Sequence, residues 1–165
     1  EKNQYDDERI VDAFITAAGI GALIAMRSSL SGAVGGCQGE IGVASAMAAA
    51  GLVEMSGGSP EQTIHAAALA LKNSLGLICD PVAGPVEVPC IKRNSIVVAN
   101  AFAAAEMAMA GIKSVIPPDE VIDALKNVQD LLPQDLKGNT IGGLASTCTA
   151  KNYKKLWVEK LKNQH

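Results

Sequence analysis

Hydrophobic and polar positions fall into blocks with helical spacing. From Asp6 to about Met26, the run DDERIVDAFITAAGIGALIAM opens acidic and becomes apolar almost all round in its second half. Acidic side chains suit the positive end of a helix dipole. Apolarity on every face predicts a helix buried on every side. Gly19 and Gly21 mark close helix contacts there. SSLSGAVGG, 28–36, reads as a flexible loop leading into Cys37. EIGVASAMAAAGLVEMSGG, 40–58, predicts a second buried helix ended by Gly57 and Gly58. In the next segment, SPEQTIHAAALALKNSLG, Ser59 is a good N-cap, Pro60 fits the first helical position and Gln62 completes a capping box. Ile64, Ala67, Ala68, Leu71 and Leu75 give its apolar stripe, and Gly76 stops it.

The stretch 77–92, LICDPVAGPVEVPCIK, breaks the periodicity with three prolines and a glycine, and predicts an ordered loop with a short extended piece. Long irregular loops inside compact domains are often functional. A fourth helix is expected over roughly 93–111, ending at Gly111, and a fifth after Pro117-Pro118 through DEVIDALKNVQDLL. The remainder holds a glycine turn and a basic, helical end. No internal repeat, low-complexity linker or strand pair emerges. The fold class is all-α: a compact bundle of about five or six helices, with a long ordered loop carrying two of the cysteines.

Composition narrows the core. With 48% hydrophobic and only 3% aromatic residues, it must be built from Ala, Val, Ile, Leu and Met. Small side chains let helices approach closely but bury little area each, so a larger partner surface is expected. At 165 residues a single helical domain, 1–165, is expected. A chain opening on Glu1 reads as a fragment, a processed chain or a trimmed one. A net charge of −3 without a basic tract argues against nucleic acid. The apolar stretches around 13–26 and 95–112 fall short of the usual span of about 20 predominantly apolar residues. A soluble, cytoplasmic protein follows as the expectation.

The chemistry is expected at the thiols. Cys37 precedes a helix, Cys79 follows one and Cys90 precedes another, positions that can converge at one end of a bundle. Thiolates near helix N-termini are stabilised by free amides and the dipole, and Cys thiolates hold iron–sulfur clusters. No CxxC pair is present, against a zinc ribbon or finger. On spacing alone, metal ligands and three ordinary buried thiols both remain open.

The run SGAVGGCQGEIGVASAMAAAGLVEMSGGSPEQTIHAAALALKNSLGLICDPVAGPVEVPCIKRN closely resembles the α chain of bacterial iron–sulfur-dependent L-serine dehydratase. GGCQGE, CDPVAGPVEVPC, SVIPPDEV and GGLA stand in family order, and the resemblance extends roughly from Ile10 to Ala150. Gly39 departs from it, since Ala is expected there. The resemblance implies a catalytic four-iron, four-sulfur cluster held by Cys37, Cys79 and Cys90. Three protein ligands leave one iron open to act as a Lewis acid. The implied reaction converts L-serine to pyruvate and ammonia without pyridoxal phosphate, in serine catabolism and gluconeogenesis. The open iron binds the serine hydroxyl, a base removes the α-proton, and the aminoacrylate becomes an imine that water hydrolyses. No residue is assigned as that base. Such a cluster is expected to be lost in aerobic preparations. Implied partners are L-serine, a β chain or β domain and an upstream part of the α chain; an oligomer is expected. A Ser-Ser-His-Thr stretch of the β portion and an APTAGS-like upstream segment are both missing, so this piece alone is expected to be inactive.

Other polar residues have two readings each. Cys148 is a candidate fourth ligand, although an ordinary free thiol is expected. His65 is a helix-face histidine with a local partner, or a proton carrier on the helix leading to Cys79. Gln38, Glu40 and Asp80 either bond to cluster sulfur and orient the loop, or cap helices. Lys92, Arg93 and Asn94 sit at a helix start, where free amides favour anions. Arg93 and Asn94 are candidates for binding the substrate carboxylate, the alternative being a surface ion pair. Lys151, Lys154 and Lys155 read as a solvated face. The competing function is a non-catalytic helical assembly module with structural zinc or no metal.

Overall fold

A computed structural model describes residues 5–163, so residues 1–4 and 164–165 of the expected domain lie outside the described residues. Seven α-helices follow in order: α1 (Asp7–Ala25), α2 (Gly32–Gly35), α3 (Val43–Met55), α4 (Pro60–Lys72), α5 (Cys90–Met109), α6 (Pro118–Leu131) and α7 (Cys148–Lys162). No strand forms among the described residues; one isolated parallel bridge joins Cys79 to Lys137. The all-α expectation is met. No helix among the described residues is long and apolar enough to cross a membrane.

Helix α3 is the centre of the bundle and packs against α1, α4 and α5, while α6 closes on α4. Ala46, Ala49, Ala50 and Val53 of α3 are fully buried, as are Ala66 and Ala70 of α4 and Ala104 of α5. Small side chains at these positions let α3 pack closely against its neighbours. Larger residues, Ile24, Leu71, Val121 and Leu125, fill the space where the helices diverge.

Local chemistry sets the element ends. Asp6 caps α1 by accepting from Arg9 N at 2.9 Å. The expected capping box of α4 is present: Ser59 Oγ accepts from Gln62 N (3.2 Å), and Ser59 N donates to Gln62 Oε1 (2.8 Å). Helix α4 then ends ahead of Gly76, whose φ is +87°.

Three expectations are corrected. Helix α1 is not buried all round: Phe14, Ile15 and Leu23 are 72%, 64% and 56% exposed. Its apolar residues exceed what one neighbour, α3, can cover. The loop expected over 28–36 contains the single turn α2. Helix α5 starts at Cys90, so of the two cysteines assigned to the long loop only Cys79 lies in it. Exposed Ile91, Ile96 and Phe102 extend the uncovered apolar surface onto α5.

Because Ala49 is fully buried, Ala49→Leu is expected to overpack the crossing and destabilise the fold by about 1–3 kcal/mol. Urea unfolding measures this, and an unchanged midpoint would show a looser core.

Candidate metal centre

Each thiol is carried by a different segment. Cys37 follows α2, which Gly36 ends at φ +79°, and precedes a π-helical turn, Gln38–Gly42, leading into α3. It is 4% exposed. Cys79 lies in the loop after α4, gripped on both sides of its peptide: its N–H donates to Leu136 O (2.8 Å) and its carbonyl accepts from Gly138 N (2.7 Å). Cys90 is the first residue of α5. No disulfide forms among them.

Buried Gln38 ties the first segment to the second. Its Nε2 donates to Gly35 O, its Oε1 accepts from Gly76 N, and its backbone N donates to Leu77 O (2.9, 2.9 and 3.0 Å). The next residue leaves no room for a side chain: a Cβ on Gly39 would lie 2.5 Å from Ser29 O and 2.6 Å from Gln129 Nε2. Those two groups are themselves bonded at 2.8 Å. The Ala that the family pattern suggests at 39 would force them to shift.

The third segment is fixed by an ion pair. Arg93 Nη1, one turn into α5, donates to Asp80 Oδ1 (2.7 Å), to Ile78 O (3.0 Å) and toward Cys37 Sγ (4.0 Å). Asp80 is 2% exposed, and its Oδ2 accepts from Leu144 N at 2.8 Å. Gly143, at φ +59°, makes that approach possible, since a Cβ there would lie 2.5 Å from Asp80 Oδ2. Thus the GGLA segment, the Cys79 loop, the Cys90 helix and the Cys37 sulfur meet at one buried carboxylate and one guanidinium.

Cys79 is close enough to Cys37 and Cys90 to feel both. Burial pushes the Cys37 thiol up, with hydrogen bonds to Arg93 and Cys79 pulling it partly back. Cys79 is pushed up to about 12 from an ordinary 9.0, first by burial, then by Cys37, Glu40 and Cys90. Burial also raises Cys90; Glu40 and Asp80 add to this and Arg93 opposes it. Without added positive charge, this site holds thiols rather than thiolates. Cations that bind thiolates would reverse that preference and release the protons.

Among the described residues, no three His, Cys, Asp or Glu side chains close on a single ion. The thiols are neighbours, not a mononuclear cage. A multi-iron cluster carries its cysteines on separate iron atoms, and three thiols with no disulfide between them are the donor chemistry such a cluster takes.

The other candidates lie apart from this centre or take structural parts. Asn94 is exposed beside the Cys90 turn and lines a groove with Glu40. His65 Nδ1 accepts from Ser114 N (3.2 Å), and its Nε2 is 3.9 Å from Glu61. Its groove is lined by Ser59, Ala108 and Lys113 but by no thiol. Cys148 is exposed at the start of α7, with its sulfur 4.0 Å from Asn152 Nδ2. Lys151, Lys154 and Lys155 are solvated. The reading from sequence left undecided what Asp80 and Gln38 do; a buried acid or amide within a Gly/Pro-rich loop was the available signal.

Asp80→Asn removes the charge paired with Arg93, and is expected to cost about 1–3 kcal/mol in urea unfolding. Because Cys79 keeps its proton longer when folded, its contribution to stability is full below about pH 9 and is lost as pH rises toward about 12. The urea midpoint of the metal-free protein is therefore expected to fall from about pH 9 upward, less steeply in Cys79→Ser. Equal slopes would contradict the burial of this thiol.

Comparison with known proteins gives the family of the chain. The chain is 52% identical over 155 residues to the probable L-serine dehydratase, alpha chain, of Bacillus subtilis (strain 168), covering 94% of this chain and 52% of that one. It is 46% identical over 155 residues to the L-serine dehydratase, alpha chain, of Peptoniphilus asaccharolyticus, covering 94% and 53%. Over 145 residues it is 46% identical to L-serine dehydratase TdcG of Escherichia coli (strain K12), covering 87% and 32%. The chain thus spans about half the length of the two alpha-chain relatives. The family described as "Serine dehydratase alpha chain" matches residues 1–145, and the chain belongs to that family.

Proposed function

We propose that this chain forms the cluster-binding part of an L-serine dehydratase, a lyase that converts L-serine to pyruvate and ammonia without pyridoxal phosphate. One observation carries the proposal. Three thiols with no disulfide between them, Cys37, Cys79 and Cys90, come from three separate segments that Arg93 ties together through Cys37 Sγ, Ile78 O and Asp80. Family membership and the printed names of the relatives support it.

These three cysteines would hold a four-iron, four-sulfur cluster. When bound, a cluster with three protein ligands supplies a Lewis-acidic iron that makes hydroxide a better leaving group. The chain's own residues set the surroundings. Asp80 and Arg93 keep the loop and α5 in register, and the Arg93 guanidinium places positive charge beside Cys37. Arg93, through nitrogens other than the one bound to Asp80, and Asn94 would hold a substrate carboxylate. The apolar residues left uncovered on α1 and α5 offer a docking surface for a β chain or β domain and an upstream α portion. The reaction would serve serine catabolism and gluconeogenesis in the cytoplasm. A structural zinc is the weaker reading, because it needs its ligands around one ion and the thiols do not close that way.

Anaerobic reconstitution tests the proposal. The wild-type chain is expected to bind about four irons and four sulfides. Cys79→Ser is expected to lose most of the iron with the helices intact by circular dichroism, while Cys148→Ser retains it. Stoichiometric zinc without reconstitutable iron, or full iron in Cys79→Ser, would contradict the assignment. Serine-dependent pyruvate formation by the assembled enzyme completes the test.

A further inference from the structure

Between the start of α3, just after the Cys37 turn, and the first turns of α5, which Cys90 begins, opens a groove of about 460 Å³. Its walls are mostly small and apolar, including Ala44, Ala48 and Val97. Three polar side chains line it: Glu40, Ser45 and Asn94. The Ser45 hydroxyl is already used, donating to Val97 O and accepting from Asn100 Nδ2 (both 2.9 Å). Among the described residues, neither Glu40 nor Asn94 has a side-chain hydrogen bond or ion pair. Elsewhere at the centre the charges are matched, with Asp80 bound to Arg93. Glu40 is the carboxylate left over.

Its position is specific. A Cβ on Gly32 would lie 2.5 Å from Glu40 Oε2 and 3.4 Å from Cys79 Sγ, so the carboxylate and the thiol flank one point of the backbone. A free anion at the mouth of a groove, next to a centre that on the dehydratase reading would take a hydroxyl, is suited to a cationic group on the same small molecule.

We propose that Glu40 pairs with the ammonium group of the amino-acid substrate in this groove, and so selects an α-amino acid over the corresponding hydroxy acid. The proposal rests on the dehydratase reading. In L-serine the ammonium and the hydroxyl stand on adjacent carbons. Anchoring the ammonium at Glu40 therefore turns the hydroxyl toward the thiols, with the carboxylate left for Asn94. No proton transfer by Glu40 is involved; it binds and orients. A ligand that keeps the carboxylate and hydroxyl but lacks the ammonium gains nothing from Glu40 and meets its negative charge.

The test uses the assembled, cluster-loaded enzyme and compares L-serine with L-glycerate, which carries a hydroxyl in place of the ammonium. Glu40→Gln is expected to retain iron and sulfide content. It should raise the calorimetric Kd and the KM for serine roughly tenfold, with a much smaller effect on kcat. Glycerate should bind the variant as well as, or better than, the wild type. Glu40→Asp should recover part of the serine affinity. Unchanged serine affinity in Glu40→Gln would overturn the proposal, as would an equal loss for serine and glycerate or a fall in kcat alone. If a wild-type enzyme with full iron fails to bind serine, the dehydratase reading itself falls, and this inference with it.

Discussion

The buried carboxylate of Asp80 is the contact through which the parts of the centre are aligned. One oxygen holds Arg93 on α5 and the other holds the backbone of Leu144. Arg93 in turn reaches the Ile78 carbonyl and the Cys37 sulfur. Four stretches far apart in sequence are thereby fixed to one another. A buried ion pair adds little net stability, because desolvation offsets much of the attraction. Its value here is geometric: removing either partner leaves a buried polar group unmatched. That penalty makes the arrangement of the cysteine segments specific rather than one of several loose alternatives.

The alanine-rich core serves the same end. Helices α3, α4 and α5 pack on one another, and most of their buried side chains are Ala or Val. Cys37 precedes the turn that starts α3, Cys79 follows α4 and Cys90 starts α5. The thiols therefore belong to the ends of three mutually packed helices, and the core sets their separation. Gln38 and the clasp around the Cys79 peptide remove the remaining freedom. The raised thiol values express the cost of this gathering, since like charges are brought together away from water.

Much of the fold was legible because its signals are local. The Ser59–Pro60–Gln62 box, the breaks at Gly76 and Gly111 and the Pro117-Pro118 start depend on neighbouring residues only. Where the reading failed, a tertiary fact was needed. Whether the apolar faces of α1 find partners depends on which helices reach it, and only α3 does so extensively. Cys90 was placed in a loop because three prolines and a glycine break the periodicity over 77–92, yet a proline before the first helical residue is compatible with a helix start. The three thiols were visible as candidates, but their proximity was not, since spacing carries no distance. Asp80 as a hub, and Glu40 as the unmatched acid, emerge only when every neighbouring hydrogen bond is counted.

The most direct measurement is the Mössbauer spectrum of the protein reconstituted anaerobically with iron-57, recorded with and without L-serine in the assembled enzyme. Three cysteines holding a four-iron cluster leave one iron unlike the other three. A single subsite, about one quarter of the iron, should change its isomer shift and quadrupole splitting when serine is added. Iron sites that are all equivalent and unmoved by serine, or mononuclear iron alone, would contradict a cluster held by Cys37, Cys79 and Cys90 with one face open to substrate.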